Sequence, residues 1–500
     1  MPSSAHARTA YAQGLKLSSA GRHLDAIGQY EQALALNPGD PKVLFALGNT
    51  AGALGMRGAA EQFFRQVLAL DPARLEAVVN LANLMRENGQ FDAAIALLEP
   101  ALARAPQNPE LNLTLGSTWR EAGNNGRAEA CYRTALHARP DYGAAMSNLA
   151  DLLCDRGEWD QARSLYDRAI RLEPKNPQIR LNRAILNLLR GALKEGWRDY
   201  GARIDIAGKV PAANLKLTPW TGESLQGKRL LVRAEQGVGD QILFASVIAD
   251  LCARATHDGG SVVLECEPRL AGLFARSFPG VRVCPAQISS GRADYTWIKS
   301  AGGANAAVLM GTVPRYLRGS LDRFPGQHVY LTPDAQEAAR WRHALGGETG
   351  KTIGICWRSG KCGGHRNLQY APLEEWGAFL RRLPEATIVS VQYDGTPGEI
   401  AALEQISGRK IVVPHGIDQK NELDRAAALL SVLNAVVSAP TAVSWLAAAT
   451  GTPTWKILYD TSWTALGQAY EPFAPACKLA MPKTRGDWPD AFAKAIRALS

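Results

Sequence analysis

The residues best placed to do chemistry lie in Leu230–Leu251, LLVRAEQGVGDQILFASVIADL. A short apolar run, Leu230–Val232, leads to Gly237 and Gly239 around Val238, and Asp240 follows directly. From Gln241 onward, Ile242, Leu243, Ala245, Val247, Ile248 and Leu251 recur at helical spacing. The spacing predicts a buried strand, a glycine turn and one helix running to Leu251. Glycines let a backbone approach a ligand closely, and a new helix N-terminus presents unpaired N–H groups. In this reading Gln236, Gly237, Gly239 and Gln241 form a substrate loop, with Asp240 at its mouth as a candidate base toward a substrate hydroxyl. An aspartate in a first helical turn also complements the helix dipole. Both roles stay open.

Three further groups point to a phosphate-rich ligand. TIGICW (Thr352–Trp357) reads as a strand, and the loop after it carries Arg358, Lys361, His365, Arg366 and Asn367. Loops at the carboxyl ends of parallel strands line ligand crevices, and guanidinium groups grip diphosphate oxygens bidentately. Ser438-Ala439-Pro440-Thr441-Ala442 ends a strand and opens a helix of small residues, so Thr441 and Ala442 make an anion site. Gln392-Tyr393-Asp394 closes another strand, where Gln392 would reach a ribose or base. A solvated basic loop, an ordinary capped helix and loop polar groups are the plain alternatives.

No Ser/His/Asp spacing or metal-ligand cluster stands out, so no metal site is assigned. The third glycine of a G-x-G-x-x-G fingerprint is replaced by Ile242, which disfavours a nicotinamide dehydrogenase. The eight cysteines include no C-x-x-C pair, which fits a reducing compartment. The expectation is a cytoplasmic group transferase with a nucleotide-linked co-substrate and no cofactor. A net charge of +9 admits anionic partners, but the absence of any run of five like charges gives nucleic acid little support. No stretch approaches the length of a membrane-spanning helix, and peripheral membrane association stays open.

The elements that position these residues follow a repeat. Pro38, Pro72, Pro106, Pro140 and Pro174 are 34 residues apart. Twelve residues before each is an alanine: Ala26, Ala60, Ala94, Ala128 and Ala162. Eight before is Tyr30, Phe64, Leu98, Tyr132 or Tyr166, and 24 before is Gly14, Gly48, Ala82, Gly116 or Ala150. Each unit is thus a pair of antiparallel helices, small where they touch and ended by proline: a tetratricopeptide repeat. A sixth, eroded unit keeps phase through Ala184, Gly196 and Tyr200, with Arg180, Arg183 and Asn187 at usually apolar positions. Terminal repeats often deviate because they cap or dock. Asn80, Asn83, Asn112, Asn148 and Asn182 fall on successive first helices. They form a candidate ladder for an extended acceptor peptide, or simply solvated faces.

The expected organisation is therefore a repeat solenoid over 1–204, a linker over 205–227, and two α/β halves over 228–345 and 346–500. The linker carries Trp220 as an anchor against a neighbouring domain. In the first half SVVLECE (Ser261–Glu267), VRVCPA (Val281–Ala286) and ADYTWIKS (Ala293–Ser300) read as strands. In the second, TIVSVQY (Thr387–Tyr393), KIVVPHG (Lys410–Gly416), NAVVSAP (Asn434–Pro440) and a last strand, TPTWKIL (Thr452–Leu458), continue the alternation. Alternating strands and helices imply parallel sheets, here two Rossmann-like halves in the GT-B arrangement.

Several motifs together carry a family resemblance. They are EGWRDYGAR (Glu195–Arg203), EQGVGDQILF (Glu235–Phe244), GTVPRYLRGSLDRFP (Gly311–Pro325), CWRSGK with HRN (Cys356–Lys361, His365–Asn367) and SAPTAVSWLAAATGTPTW (Ser438–Trp455). The chain resembles bacterial tetratricopeptide-repeat glycosyltransferase-like proteins. Its second part is similar to the heptosyltransferase family (glycosyltransferase family 9), and its layout is similar to that of O-linked N-acetylglucosamine transferases. The resemblance implies an inverting, metal-independent transferase with Asp240 as general base, a nucleotide-sugar donor in the last half, and a protein acceptor, flagellin-like or another surface protein. Pro440 and Trp445 stand where the heptosyltransferase pattern has aspartate and histidine. A non-catalytic repeat scaffold and a lipopolysaccharide or polysaccharide transferase are the alternative readings.

Overall fold

The computed structural model describes residues 2–499 apart from Ala207, Lys209, Asn214, Ser290, Pro325, Gln327, His328, 347–349 and 361–363. The chain forms two compact units, one built from Met1–Pro174 and one running from Lys175 onward. Among the described residues no helix is long and apolar enough to cross a membrane.

The first unit is five helix pairs, beginning with Pro2–Ser19 and His23–Leu36 and ending with Gly143–Asp155 and Trp159–Leu172. The periodic alanines at 26, 60, 94, 128 and 162 are wholly buried. A Cβ added at Gly48 would lie 2.6 Å from the Phe64 ring, and one at Gly116 would lie 2.6 Å from the Tyr132 ring. Small residues are thus what let the paired helices close on their aromatic neighbours. A further 34-residue period, of glycines, is explained by the backbone. Gly21, Gly55, Gly89, Gly123, Gly157 and Gly191 all turn from first to second helix with φ between 74° and 86°, a region other residues avoid. Asp40 and Asn108 cap the helices that follow them, ahead of Pro41 and Pro109.

The second unit opens with the eroded repeat, Pro177–Leu189 and Leu193–Tyr200, followed by a 3-10 turn, Gly201–Asp205. This pair is part of the α/β core. Trp197 and Tyr200 are buried in one cluster with Phe244 and Phe473, with rings packed edge-on or tilted. The Trp197 indole N–H donates to the Arg318 carbonyl at 2.9 Å. The docking contacts come from Trp197 and Tyr200 on the second helix, while Arg183 pairs within the repeat with buried Asp199 at 2.8 Å.

Two all-parallel sheets follow. The first runs Thr218–Pro219, Ala306–Leu309, Arg229–Arg233, Ser261–Cys266, Arg282–Pro285. The second runs Ile411–Val412, Thr387–Ser390, Thr352–Cys356, Ala435–Ser438, Thr454–Ile457, Cys477–Ala480. Several sequence expectations are corrected. The single helix after the glycine turn is two, Val238–Ala245 and Ile248–His257, broken at Ser246–Val247. Of Ala293–Ser300 only Ala293 lies in a strand, the two-residue Arg292–Ala293 of a small separate three-stranded sheet, and a 3-10 turn follows at Thr296–Ile298; the central strand's second neighbour is Ala306–Leu309. Cys477–Ala480, not Thr452–Leu458, is the last strand. The linker is not structureless: it supplies the edge strand Thr218–Pro219, and Trp220 stacks edge-on to Tyr316 at 4.9 Å.

A protein starting at Lys175 should unfold cooperatively, because the docked repeat is retained. One starting at Asp205 also strips Arg203 from buried Glu235 and should lose at least about 3–5 kcal/mol. Urea melts of the two proteins make the comparison, and equal stabilities would remove the sixth repeat from this core.

Candidate functional site

In each sheet the strand order reverses beside the central strand, and crevices for ligands form outside the carboxyl ends at such points. In the first sheet the reversal lies between Arg229–Arg233 and Ala306–Leu309. Glu235 sits there, 3% exposed, and the repeat-derived Arg203 fills the crevice. Arg203 Nε and Nη2 donate to the two Glu235 oxygens at 2.9 and 2.5 Å, and Nη2 also donates to Thr312 Oγ1 at 2.8 Å. The Gly311 N–H donates to Glu235 Oε1 at 2.8 Å, so both sides of the crevice are tied to one carboxylate. Sequence reading missed this pair. Its signal was an arginine closing an eroded repeat and a glutamate just past a buried strand.

The glycine loop follows. Gln236 takes φ of 60°, unusual for a residue with a side chain, and its amide bonds the Tyr200 hydroxyl at 3.1 Å. The repeat therefore holds the loop at its strained residue. Gly237 is exposed, and Gly239 and Asp240 are partly so. Asp240 Oδ2 accepts from the Gly237 N–H at 3.1 Å. Gln241 leaves the substrate loop: it is 4% exposed, and its amide oxygen takes the Glu267 N–H at 2.8 Å. It anchors the exit of the neighbouring strand.

In the second sheet the reversal lies between Thr352–Cys356 and Ala435–Ser438. Thr441 is the N-cap of Ala442–Ala449, accepting from the Val443 N–H, and its hydroxyl lies 3.6 Å from Cys356 Sγ. Arg358 leaves the same point, but Nε donates to Glu399 at 2.6 Å and Nη1 to Asp394 at 3.1 Å. Its charge is largely spent within the protein. The Arg358 hydrogen bonds hold the Glu399 carboxyl down at about 2. Gln392 is corrected from ligand contact to loop clamp. Its oxygen accepts from the Trp357 and Arg358 N–H groups, and its nitrogen donates to the Arg358 carbonyl and Asp394. An amide so saturated has nothing left for a ribose. Asn367 is exposed on the 3-10 turn Gly364–Gln369. Lys361 and the side chains of His365 and Arg366 lie outside the described residues.

The two crevices meet. Helices Val238–Ala245 and Ala442–Ala449 pack together, and a Cβ at Gly239 would be 3.6 Å from both Ala442 Cα and Trp445 Cδ1. Two helix N-termini thus share one wall, with Asp240 beside the first and Thr441 opening the second. Behind Trp445 lies another pair that sequence reading missed. Lys456 Nζ sits 3.5 Å from the indole centroid and 2.5 Å from Glu471 Oε1, with both charged groups buried. A lone lysine inside an otherwise apolar strand was the available signal.

In the first unit the asparagine series separates. Asn112 is corrected out of any ladder: it is 3% exposed, and its amide donates to the Pro106 and Asn108 carbonyls at 2.9 Å each. Asn80 donates to Asn49 and Asn148 to Ser117, bonds between successive first helices. Asn83 accepts from Arg86, which is itself paired with Glu121. These groups stitch neighbouring repeats together.

Two predictions follow from these geometries. Because the Glu399 carboxyl is held below its ordinary value of 4.5, the stabilisation from its pair with Arg358 is complete above that pH and is lost as pH falls toward about 2. Glu399→Gln should therefore be less stable than wild type at neutral pH, with the gap closing in acid, as read by urea melts across that range. Asn112→Ala should cost the first unit about 1–2 kcal/mol by stranding the Pro106 carbonyl, measured by thermal melting; the Asn108 carbonyl keeps the backbone N–H of residue 112.

Tetratricopeptide repeat models match residues 11–74, 53–117 and 120–186. Protein FlbA of Caulobacter vibrioides is 32% identical over 325 residues, covering 63% of this chain and 54% of that protein. The chain thus spans about half the length of this curated relative. Among solved structures, a thermophilic repeat protein of Thermus thermophilus is 27% identical over 37% of this chain and all of its own, with a TM-score of 0.33. Pseudomonas aeruginosa pilF is 18% identical, covering 41% of this chain and 92% of its own, with a TM-score of 0.34.

Proposed function

We propose that the second unit is a GT-B glycosyltransferase that moves a sugar from a nucleotide-sugar donor to a protein acceptor recruited by the repeats. One observation carries this reading: the crevices of two parallel sheets are joined by Val238–Ala245 packed on Ala442–Ala449, with a carboxylate beside one helix N-terminus and a threonine at the other. In this reading Asp240 accepts the proton of an acceptor hydroxyl, whose oxygen bonds the anomeric carbon as the bond to the diphosphate breaks. The N–H groups at Thr441 and Ala442 face the departing diphosphate, whose charge they stabilise without reorganising. Arg358, at the end of the adjacent strand, is engaged by Glu399 and Asp394, so the helix terminus carries more of the burden than this arginine.

The same ion pairs favour a second reading, a repeat scaffold that does not turn over. A neutralised Arg358 and an Asp240 bonded to its own loop suit a module kept for its shape. The repeats support protein binding in either case.

Thermal-shift titration of the full chain with uridine-, guanosine-, adenosine- and cytidine-linked sugars separates the two. A bound donor raises Tm with its concentration. Asp240→Asn should keep that shift and slow transfer by about 10²–10⁴-fold. A panel with no shift supports the scaffold, and an Asp240→Asn protein transferring at the wild-type rate removes the base.

A further inference from the structure

A second concave surface lies beside the crevice of the first sheet and shares Arg233, Leu309 and Thr312 with its rim. It is a groove of about 490 Å³ bordered by the docked repeat, the linker and the edge of the first sheet. Four guanidinium groups line it: Arg180 and Arg198 from the repeat helices, Arg233 at the end of the central strand, and Arg315 on the short helix Pro314–Leu317. Asp205 is the one acidic residue in the lining. Among the described residues, Arg180, Arg233 and Arg315 form no ion pair. Arg198 lies 3.7 Å from Asp199, a carboxylate already bonded to Arg183 at 2.8 Å. Arg233 is aimed by a neutral partner: its Nε donates to the Tyr295 hydroxyl at 2.7 Å, and Tyr295 in turn donates to Glu265 Oε2 at 3.0 Å. Glu265 is itself 1% exposed and bonds the Tyr295 hydroxyl, and no ion pair joins it to Arg233 among the described residues.

The floor between these cations is apolar, with Leu215 and Leu217 half-buried on the linker. Four cations on four separate elements suit several anionic groups spread along a ligand, and the leucines suit apolar groups between them. A lone phosphoryl group is better served by a helix N-terminus or glycine loop, which the crevice at Thr441 already offers. We propose that this groove binds an acidic, extended protein segment, with its carboxylates on the arginines and an apolar side chain on the leucine floor. A scaffold without transfer activity would use the groove in the same way.

The test is fluorescence anisotropy of the full chain with labelled peptides in which Asp and Glu alternate with Leu or Phe, beside matched Asn and Gln peptides. Acidic peptides should bind and weaken steeply with salt, and the amide peptides should not bind. Arg180→Gln with Arg315→Gln, at half-buried and exposed positions, should fold normally and lower affinity by about tenfold or more. Arg233→Gln should act in the same direction. Equal binding of the amide peptides, unchanged affinity in the Arg180/Arg315 variant, or no peptide binding would overturn the proposal. Displacement of the peptide by inorganic triphosphate at far lower concentration than by free acidic peptide would assign the groove to phosphate and overturn it as well.

Discussion

The ion pair between Arg203 and Glu235 is the contact on which the architecture of the second unit turns. Withdrawing two charges from water costs several kcal/mol per ion even after relaxation. The offset here is a complete set of bonds. Glu235 receives two guanidinium N–H groups and the Gly311 N–H, while Arg203 also reaches Thr312 and the Tyr200 carbonyl. Such a pair contributes orientation more than net stability. It ties the last repeat to the carboxyl end of the central strand and to the neighbouring strand exit, and it fixes where Gln236 and the glycine loop begin.

The second half handles charge in the same manner. Lys456 is enclosed with Glu471 under Trp445, and Arg358 is shared between Glu399 and Asp394. Arg203, Arg358 and Lys456 are therefore each matched by carboxylates of the protein. What remains at the shared wall is weaker and more directional: N–H groups of two helix termini and the Asp240 carboxylate. The strongly uncompensated positive charge lies instead in the arginine-lined groove beside the docked repeat. In the first unit, by contrast, polar side chains mostly bind each other. Arg120 bridges Asp151 and Asp155, and Asn148 reaches Ser117, each from one first helix to the next. These bonds set the register between repeats and leave recognition to whatever capacity the side chains retain.

The sequence by itself determined the repeats, because their periodic alanines, aromatics and prolines answer to contacts within one helix pair. It also determined the strands that read as mainly apolar runs, such as Ser261–Cys266, Thr352–Cys356 and Ala435–Ser438, since burial on both faces leaves little room for alternation. It placed Asp240, Thr441 and Arg358 at strand ends, where parallel sheets hold their ligands. Only the tertiary structure decided which of those polar groups stay available. Arg358 meets Glu399 across 41 residues and Arg203 meets Glu235 across 32, and no local pattern announces either encounter. The same holds for Ala306–Leu309 and Cys477–Ala480, short strands whose identity comes from the neighbours they pair with. Periodicity records what each residue does to its own helix or strand. The pairing of charges and sheet edges depends on which faces the chain brings opposite one another.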